Sequence, residues 1–153
     1  MNKMRITIIA IIAIIVLWNS QCSAQCKEFN ENEAMPLLYD NATDEQFMLS
    51  GRYNTVKLCE GDDMLVFKSL AKGLKYRFIV KGDKTLPQDI NMVIESWDGD
   101  IIYDNKDHNY ESAWSYANKK TQRVKIYIKV PKTNAGSSTS GCLSFITGLL
   151  TDE

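Results

Sequence analysis

Two alternating stretches limit what this chain can become. Val124, Ile126, Ile128 and Val130 alternate with Arg123, Lys125, Tyr127 and Lys129. Leu74, Tyr76, Phe78 and Val80 alternate with Lys75, Arg77 and Lys81. A period of two sends successive side chains to opposite faces of a strand, so each stretch has one face for a core and one for solvent. Tyr53 to Cys59, Met64 to Leu70, Asn91 to Trp97, Tyr110 to Ala117 and Cys142 to Leu150 read as further strands. Turns fall at Glu60-Gly61-Asp62-Asp63 and Ala71-Lys72-Gly73, and Asp98-Gly99-Asp100 links Asn91–Trp97 to Ile101–Tyr103 as a hairpin. With about eight short strands and no useful amphipathic helix, the chain is expected to be all-β, an antiparallel β-sandwich of jelly-roll type.

The N-terminus reads as an export signal. Lys3 and Arg5 precede an uncharged, largely aliphatic run over 6–18, and the polar stretch after it ends in Cys22-Ser23-Ala24. Basic start, apolar middle and small residues at the end match a cleaved leader, and the run is short of the roughly 20 residues that span a bilayer. Gln21 before Cys22 and Gln25 before Cys26 argue against a lipid anchor at either cysteine. The expected division is therefore signal peptide 1–24, N-terminal arm 25–52 and sandwich 53–153, with the product periplasmic or secreted and no stable membrane span. Cleavage removes two of the 18 basic residues and none of the 19 acidic ones, leaving a net charge of −3. That balance gives no electrostatic case for nucleic acid as a partner.

Cleavage leaves Cys26, Cys59 and Cys142 of the four cysteines. An odd number in an oxidising compartment implies one bridge and one leftover thiol. Cys26 and Cys142 lie near the two ends of the mature chain, so a bridge between them would close the fold and leave Cys59 as a buried, inert thiol. Pairings 26–59 and 59–142 remain open at this level. No Cys-x-x-Cys pair and no Cys/His cluster points to redox or zinc chemistry. The arm is polar and mixed, with a short helical turn expected near 43–48 under Thr43 as cap.

Candidate chemistry is sparse. Asp98, Asp100, Asp104 and Asp107 offer oxygen ligands of the kind calcium takes, although their spacing matches no calcium loop and Asp is common in turns. His108, the only histidine, sits beside Asp104 and Asp107, but no nucleophile elbow accompanies it and no catalytic residue is assigned. Trp97, Tyr103, Tyr110, Trp114 and Tyr116 concentrate aromatic surface; the two tryptophans are expected in the core, leaving Tyr110 and Tyr116 for a ligand. The outward stripe of Arg123, Lys125, Tyr127 and Lys129 could join Lys75 and Arg77 if their strands are neighbours. It would then be a basic face for an anionic glycan or lipid headgroup; alone it reads as a solvated, aggregation-resistant face.

Glu60-Gly61 before one strand, and Gly73-Leu74-Lys75-Tyr76 with Phe78 and Val80 in the next, are distantly similar to bacterial pre-peptidase C-terminal domains, which are small β-sandwiches. A broader pattern runs through Cys26-Lys27-Glu28-Phe29, Glu60-Gly61, Tyr76-Arg77, Tyr103-Asp104, Trp114 and Ser140-Gly141-Cys142. In it the chain resembles short exported proteins of unknown function from Bacteroidota. That resemblance implies export and a sandwich, and it supplies no activity. The pattern carries further cysteines where this chain has Glu33-Ala34-Met35 and Val80-Lys81-Gly82, so no disulfide pairing is carried across. The function expected is a non-enzymatic binding or interaction module of the cell envelope, with a protein or glycan as partner and no cofactor beyond possible calcium. A structural envelope subunit, suggested by the closing Leu143-Ser144-Phe145-Ile146-Thr147, comes second. A small glycan hydrolase using Asp100 and Asp104, helped by His108, comes third.

Overall fold

The computed structural model describes residues 26–133 and 139–150; the expected signal peptide lies outside them. The strands read from the sequence form as β4 (Asn54–Cys59), β5 (Asp63–Leu70), β6 (Lys75–Gly82), β7 (Asn91–Ser96), β8 (Ile101–Asp104), β9 (Ala113–Ala117), β10 (Gln122–Lys129) and β11 (Ser140–Leu149). The arm adds three short ones, β1 (Tyr39–Asp40), β2 (Glu45–Gln46) and β3 (Met48–Leu49). One sheet has the order β5-β10-β7-β8. In the other, β11 lies between β6 and the β3/β4 edge, and β9 closes the far side. All pairings are antiparallel, and every connection from β4 onward except the β7–β8 hairpin crosses between sheets. That order is the jelly roll the alternation implied.

The inward residues of β10, Val124, Ile126 and Ile128, meet Phe78 and Val80 of β6 and Leu143 and Phe145 of β11 in a solvent-free core. β6 and β11 are buried on their other face too. There Ile79 and Ile146 pack under Ala34, Leu38 and Phe47 of the arm, which forms a second core over the outer side of the five-stranded sheet. Gly148 makes this close approach feasible: a Cβ there would stand 2.6 Å from Leu38 Cδ2 and 2.8 Å from Phe47 Cβ. The arm is helical through Asn30–Ala34 and Met35–Leu38 and is pinned at its start by a disulfide between Cys26 and Cys142.

Four expectations change. Residues 43–48 hold no helical turn; Thr43 and Asp44, the latter left-handed, end the turn that joins β1 to β2, and β2 and the start of β3 follow. Cys59 is exposed, as the last residue of β4, which pairs on one side only. Lys75 and Arg77 do not extend the β10 stripe, since β6 and β10 belong to different sheets. Arg77 faces the arm instead and is buried, donating to Leu37 O (2.6 Å), Asp40 Oδ2 (2.6 Å) and Ser115 Oγ (2.7 Å). Finally, Trp97 is not in the core: it is 54% exposed.

Two polar clamps hold irregular chain to this frame. Burial works to raise the Asp40 carboxyl, but the Ala42 N–H and the Arg77 charge outweigh it and hold the group below its usual range. Breaking a buried pair strands its partner's charge, so Arg77→Ala is expected to cost about 3 kcal/mol or more by urea denaturation. Asp40→Asn, which keeps hydrogen-bonding capacity, should cost less. Glu60 accepts from Thr133 Oγ1 (2.6 Å), Thr133 N (3.0 Å) and Thr139 Oγ1 (2.6 Å), bonds that lower its carboxyl to about 2. A depressed carboxylate stabilises the fold above its unfolded pKa, near 4.5, and that contribution is lost as pH falls through about 2. An NMR titration of the Glu60 side chain should therefore show a midpoint near 2, and a midpoint at the ordinary value near 4.5 would contradict the clamp.

Candidate functional site

With the arm over one sheet, the outer face of β5-β10-β7-β8 is the broad sheet face left bare among the described residues. Its side chains follow from the register. Phe67, Lys125, Glu95 and Ile101 form one row across the sheet, and Leu65, Tyr127, Val93 and Asp104 form the next. Leu65, Phe67, Ile101 and Tyr127 are 40–67% exposed. Trp97, just beyond β7, leans against Phe67 with ring centroids 6.2 Å apart.

Cations lie at the end of this surface and within it. The Arg123 guanidinium lies 4.7 Å from the centre of the Trp97 ring and Lys125 Nζ lies 5.9 Å from it. Lys125 also donates to Glu95 at 2.6 Å, a hydrogen bond that raises its pKa. Among the described residues Arg123 makes no ion pair, so its charge is available at the edge of the patch. An open cleft of about 540 Å³ continues from Trp97 and Arg123 past Ser69, Ser96, Lys120 and Gln122. A second recess of about 400 Å³ lies beside the disulfide, between Phe29, Lys57 and Asp83. There burial favours protonation of Asp83, but bonds from Thr85 (Oγ1, 2.5 Å; N, 2.8 Å) and Cys142 (N, 2.7 Å) prevail and lower its pKa. Those carboxylate oxygens hold the chain rather than a ligand.

The residues singled out from sequence divide. Lys125, Tyr127 and Lys129 stand together on the bare face, as the alternation required. Tyr116 does not join them: it stacks on Trp114 (5.1 Å), which stacks on Tyr103 (4.2 Å), and Tyr103 on His108 (5.2 Å). This aromatic series packs against the core and seals the side of the sandwich between β8 and β9, where burial lifts the Tyr103 hydroxyl to about 12. Tyr110 is half-buried in a left-handed turn on that same side. Asp104 accepts from Asn91 Nδ2 (2.7 Å) and Lys106 N (2.9 Å), capping the 3₁₀ turn Asn105–His108. Among the described residues no three His, Cys, Asp or Glu side chains converge as a metal site requires, and Asp98, Asp100, Asp104 and Asp107 form no such group.

Leu65, Phe67, Val93, Ile101 and Trp97 are not legible as surface in the sequence. Met64-Leu65-Val66-Phe67 is apolar on both faces, so periodicity gives no direction there.

The chain matches no model of a known protein family and no curated protein. Among solved structures it is similar to the Aeromonas hydrophila periplasmic inhibitor of g-type lysozyme, PliG, at 11% identity and a TM-score of 0.48, over 64% of this chain and 84% of that one. It is also similar to a de novo designed double-stranded β-helix, at 11% identity and a TM-score of 0.27, over 62% of this chain and 99% of that one. A chain of the Sulfolobus turreted icosahedral virus matches at 12% identity and a TM-score of 0.32, over 72% of this chain and 32% of that one. Likenesses this distant assign no activity.

The contrast between the tryptophans is testable. Trp97→Ala should change unfolding stability by less than about 1 kcal/mol, the range of surface substitutions. Trp114→Ala, which removes the centre of the aromatic series, should cost about 3 kcal/mol or more. Equal losses in urea titrations would contradict the exposure of Trp97.

Proposed function

We propose that this protein is an exported, non-catalytic interaction module that binds a protein partner through the bare outer face of its four-stranded sheet. The observation that carries the reading is the joint exposure of Phe67, Trp97, Tyr127, Leu65 and Ile101 beside an Arg123 that makes no ion pair among the described residues. Tryptophan, tyrosine and arginine dominate binding energy at protein interfaces, and contiguous apolar surface on a small soluble domain marks such sites. Aliphatic side chains, prominent here in Leu65 and Ile101, suit a protein surface better than a sugar. The ring of Trp97 is already ordered by Phe67 and Arg123, which lowers the entropic cost of docking. A Cys26–Cys142 bridge agrees with a working site in the periplasm or outside the cell.

A photo-cross-linking residue in place of Ile101, introduced in producing cells, tests the reading. The expected result is one discrete protein adduct, lost when Trp97→Ala and Arg123→Glu are added and absent when the probe replaces Lys106. Adducts that persist in the double variant, or that carry only glycan, would overturn it.

A further inference from the structure

The edge of the four-stranded sheet formed by β5 is open. β5 pairs with β10 in an unbroken register from Asp63↔Lys129 to Leu70↔Gln122, and no described strand meets its other side. Its first hydrogen bonds reveal which backbone groups stand there. Gly61 N–H donates to Val130 O at 3.0 Å and Val130 N–H donates to Asp62 O at 2.9 Å. Two residues thus oppose one, a bulge that Gly61 permits with φ +88°. Beyond it, antiparallel bonding alternates, so Met64, Val66, Lys68 and Leu70 exchange their bonds with β10. Asp63, Leu65, Phe67 and Ser69 therefore direct N–H and C=O away from the sheet, with no bond to these groups among the described residues.

Sheet edges are ordinarily kept short, bulged, or guarded by proline or lysine. β8 follows that practice, running only Ile101–Asp104 with a register break at Ile94/Glu95. β5 runs eight residues without proline, and its bulge lies before the strand, at Gly61-Asp62, leaving Asp63–Leu70 in unbroken register. Its one lysine, Lys68, is an inward charge of the kind that can guard an edge, but its ammonium is held by Ser50 O at 2.8 Å rather than left at the edge.

We propose that β5 pairs with β5 of a second copy of this chain, antiparallel about a two-fold axis at Val66. The strand is self-complementary in that register. Leu65 stands opposite Phe67 of the second copy and Phe67 opposite its Leu65, while Asp63 and Ser69 form the flanking pairs. All four residues with outward backbone groups are then hydrogen-bonded. Moving the axis to Phe67 sets Leu65 against Ser69 and leaves Asp63 unpaired. Charge agrees as well: along one row Arg123 and Ser69 are followed by Asp63 of the second copy and then its Lys129, so the carboxylate lies between cations. The interface is isologous and closes at two copies, and it joins the two exposed apolar faces into one. It rests on the open edge and stands apart from the partner-binding reading above.

The test uses the purified full chain. Sedimentation equilibrium should give twice the chain mass, falling to the chain mass in Leu65→Lys/Phe67→Lys, whose altered side chains are exposed in a folded monomer. Val66 and its counterpart form a close non-hydrogen-bonded pair, so Val66→Cys in a Cys59→Ser background should oxidise to a covalent dimer. Circular dichroism should show that both variants remain folded. A monomer at all concentrations up to about 100 µM, where a dimer of micromolar Kd would be nearly complete, overturns the proposal. So does a dimer indifferent to the two lysines, a folded Val66→Cys variant that fails to cross-link, or a monomer that instead captures an extended segment of another protein at β5.

Discussion

The disulfide between Cys26 and Cys142 is the constraint on which the rest of the molecule depends. It joins residues 116 apart in sequence, and in the chain-entropy picture such a closure is worth about 5 kcal/mol. Its structural consequence is more specific. Cys142 lies on β11, at the centre of the five-stranded sheet, so tethering Cys26 to it starts the arm on that sheet's outer face. The arm needs that help. Asn30 is fully buried there with neither amide atom hydrogen-bonded, a burden of about 1–3 kcal/mol for each such polar group. The tether and the burial of Leu38 and Phe47, about 1.5–3 kcal/mol for each side chain, offset it.

From this one placement follows the asymmetry that matters for function. β6 and β11 become central strands buried on both faces, and Arg77, whose position in an alternating strand suggests solvent, is enclosed with Asp40. The four-stranded sheet has no equivalent cover among the described residues. Its outer face keeps Phe67, Tyr127 and Trp97 in solvent, and at its β5 edge backbone groups have no bond among the described residues. Both features belong to the same sheet, so a partner on the face and a second copy at the edge can be accommodated together.

Much of the scaffold is legible in the sequence because alternation is a local signal. Residues 123–130 state which side chains face inward, and the Asp98-Gly99-Asp100 turn fixes the β7–β8 hairpin without reference to anything distant. Lys125, Tyr127 and Lys129 read as a surface for the same reason. What sequence misses depends on tertiary cover. The fate of Arg77 depends on an arm nearly 40 residues away, which no periodicity reports. The size of Trp97 suggests the core, yet it stands on the outer face of its sheet, against Phe67 and Arg123. Leu65 and Phe67 sit in a run apolar on both faces, where only the register with β10 decides which side is out. Cys59 escapes burial because β4 is an edge strand.

Hydroxyl-radical footprinting of the intact protein, read residue by residue by mass spectrometry, tests the division into a covered and a bare sheet most directly. Phe67, Trp97 and Tyr127 should oxidise rapidly while Phe47 stays protected, and Phe47 should become reactive when Cys26→Ser releases the tether. If Phe47 is labelled as fast as Phe67 in the intact protein, or if Phe67 and Trp97 are protected in the monomer, the four-stranded sheet is not the face this protein presents.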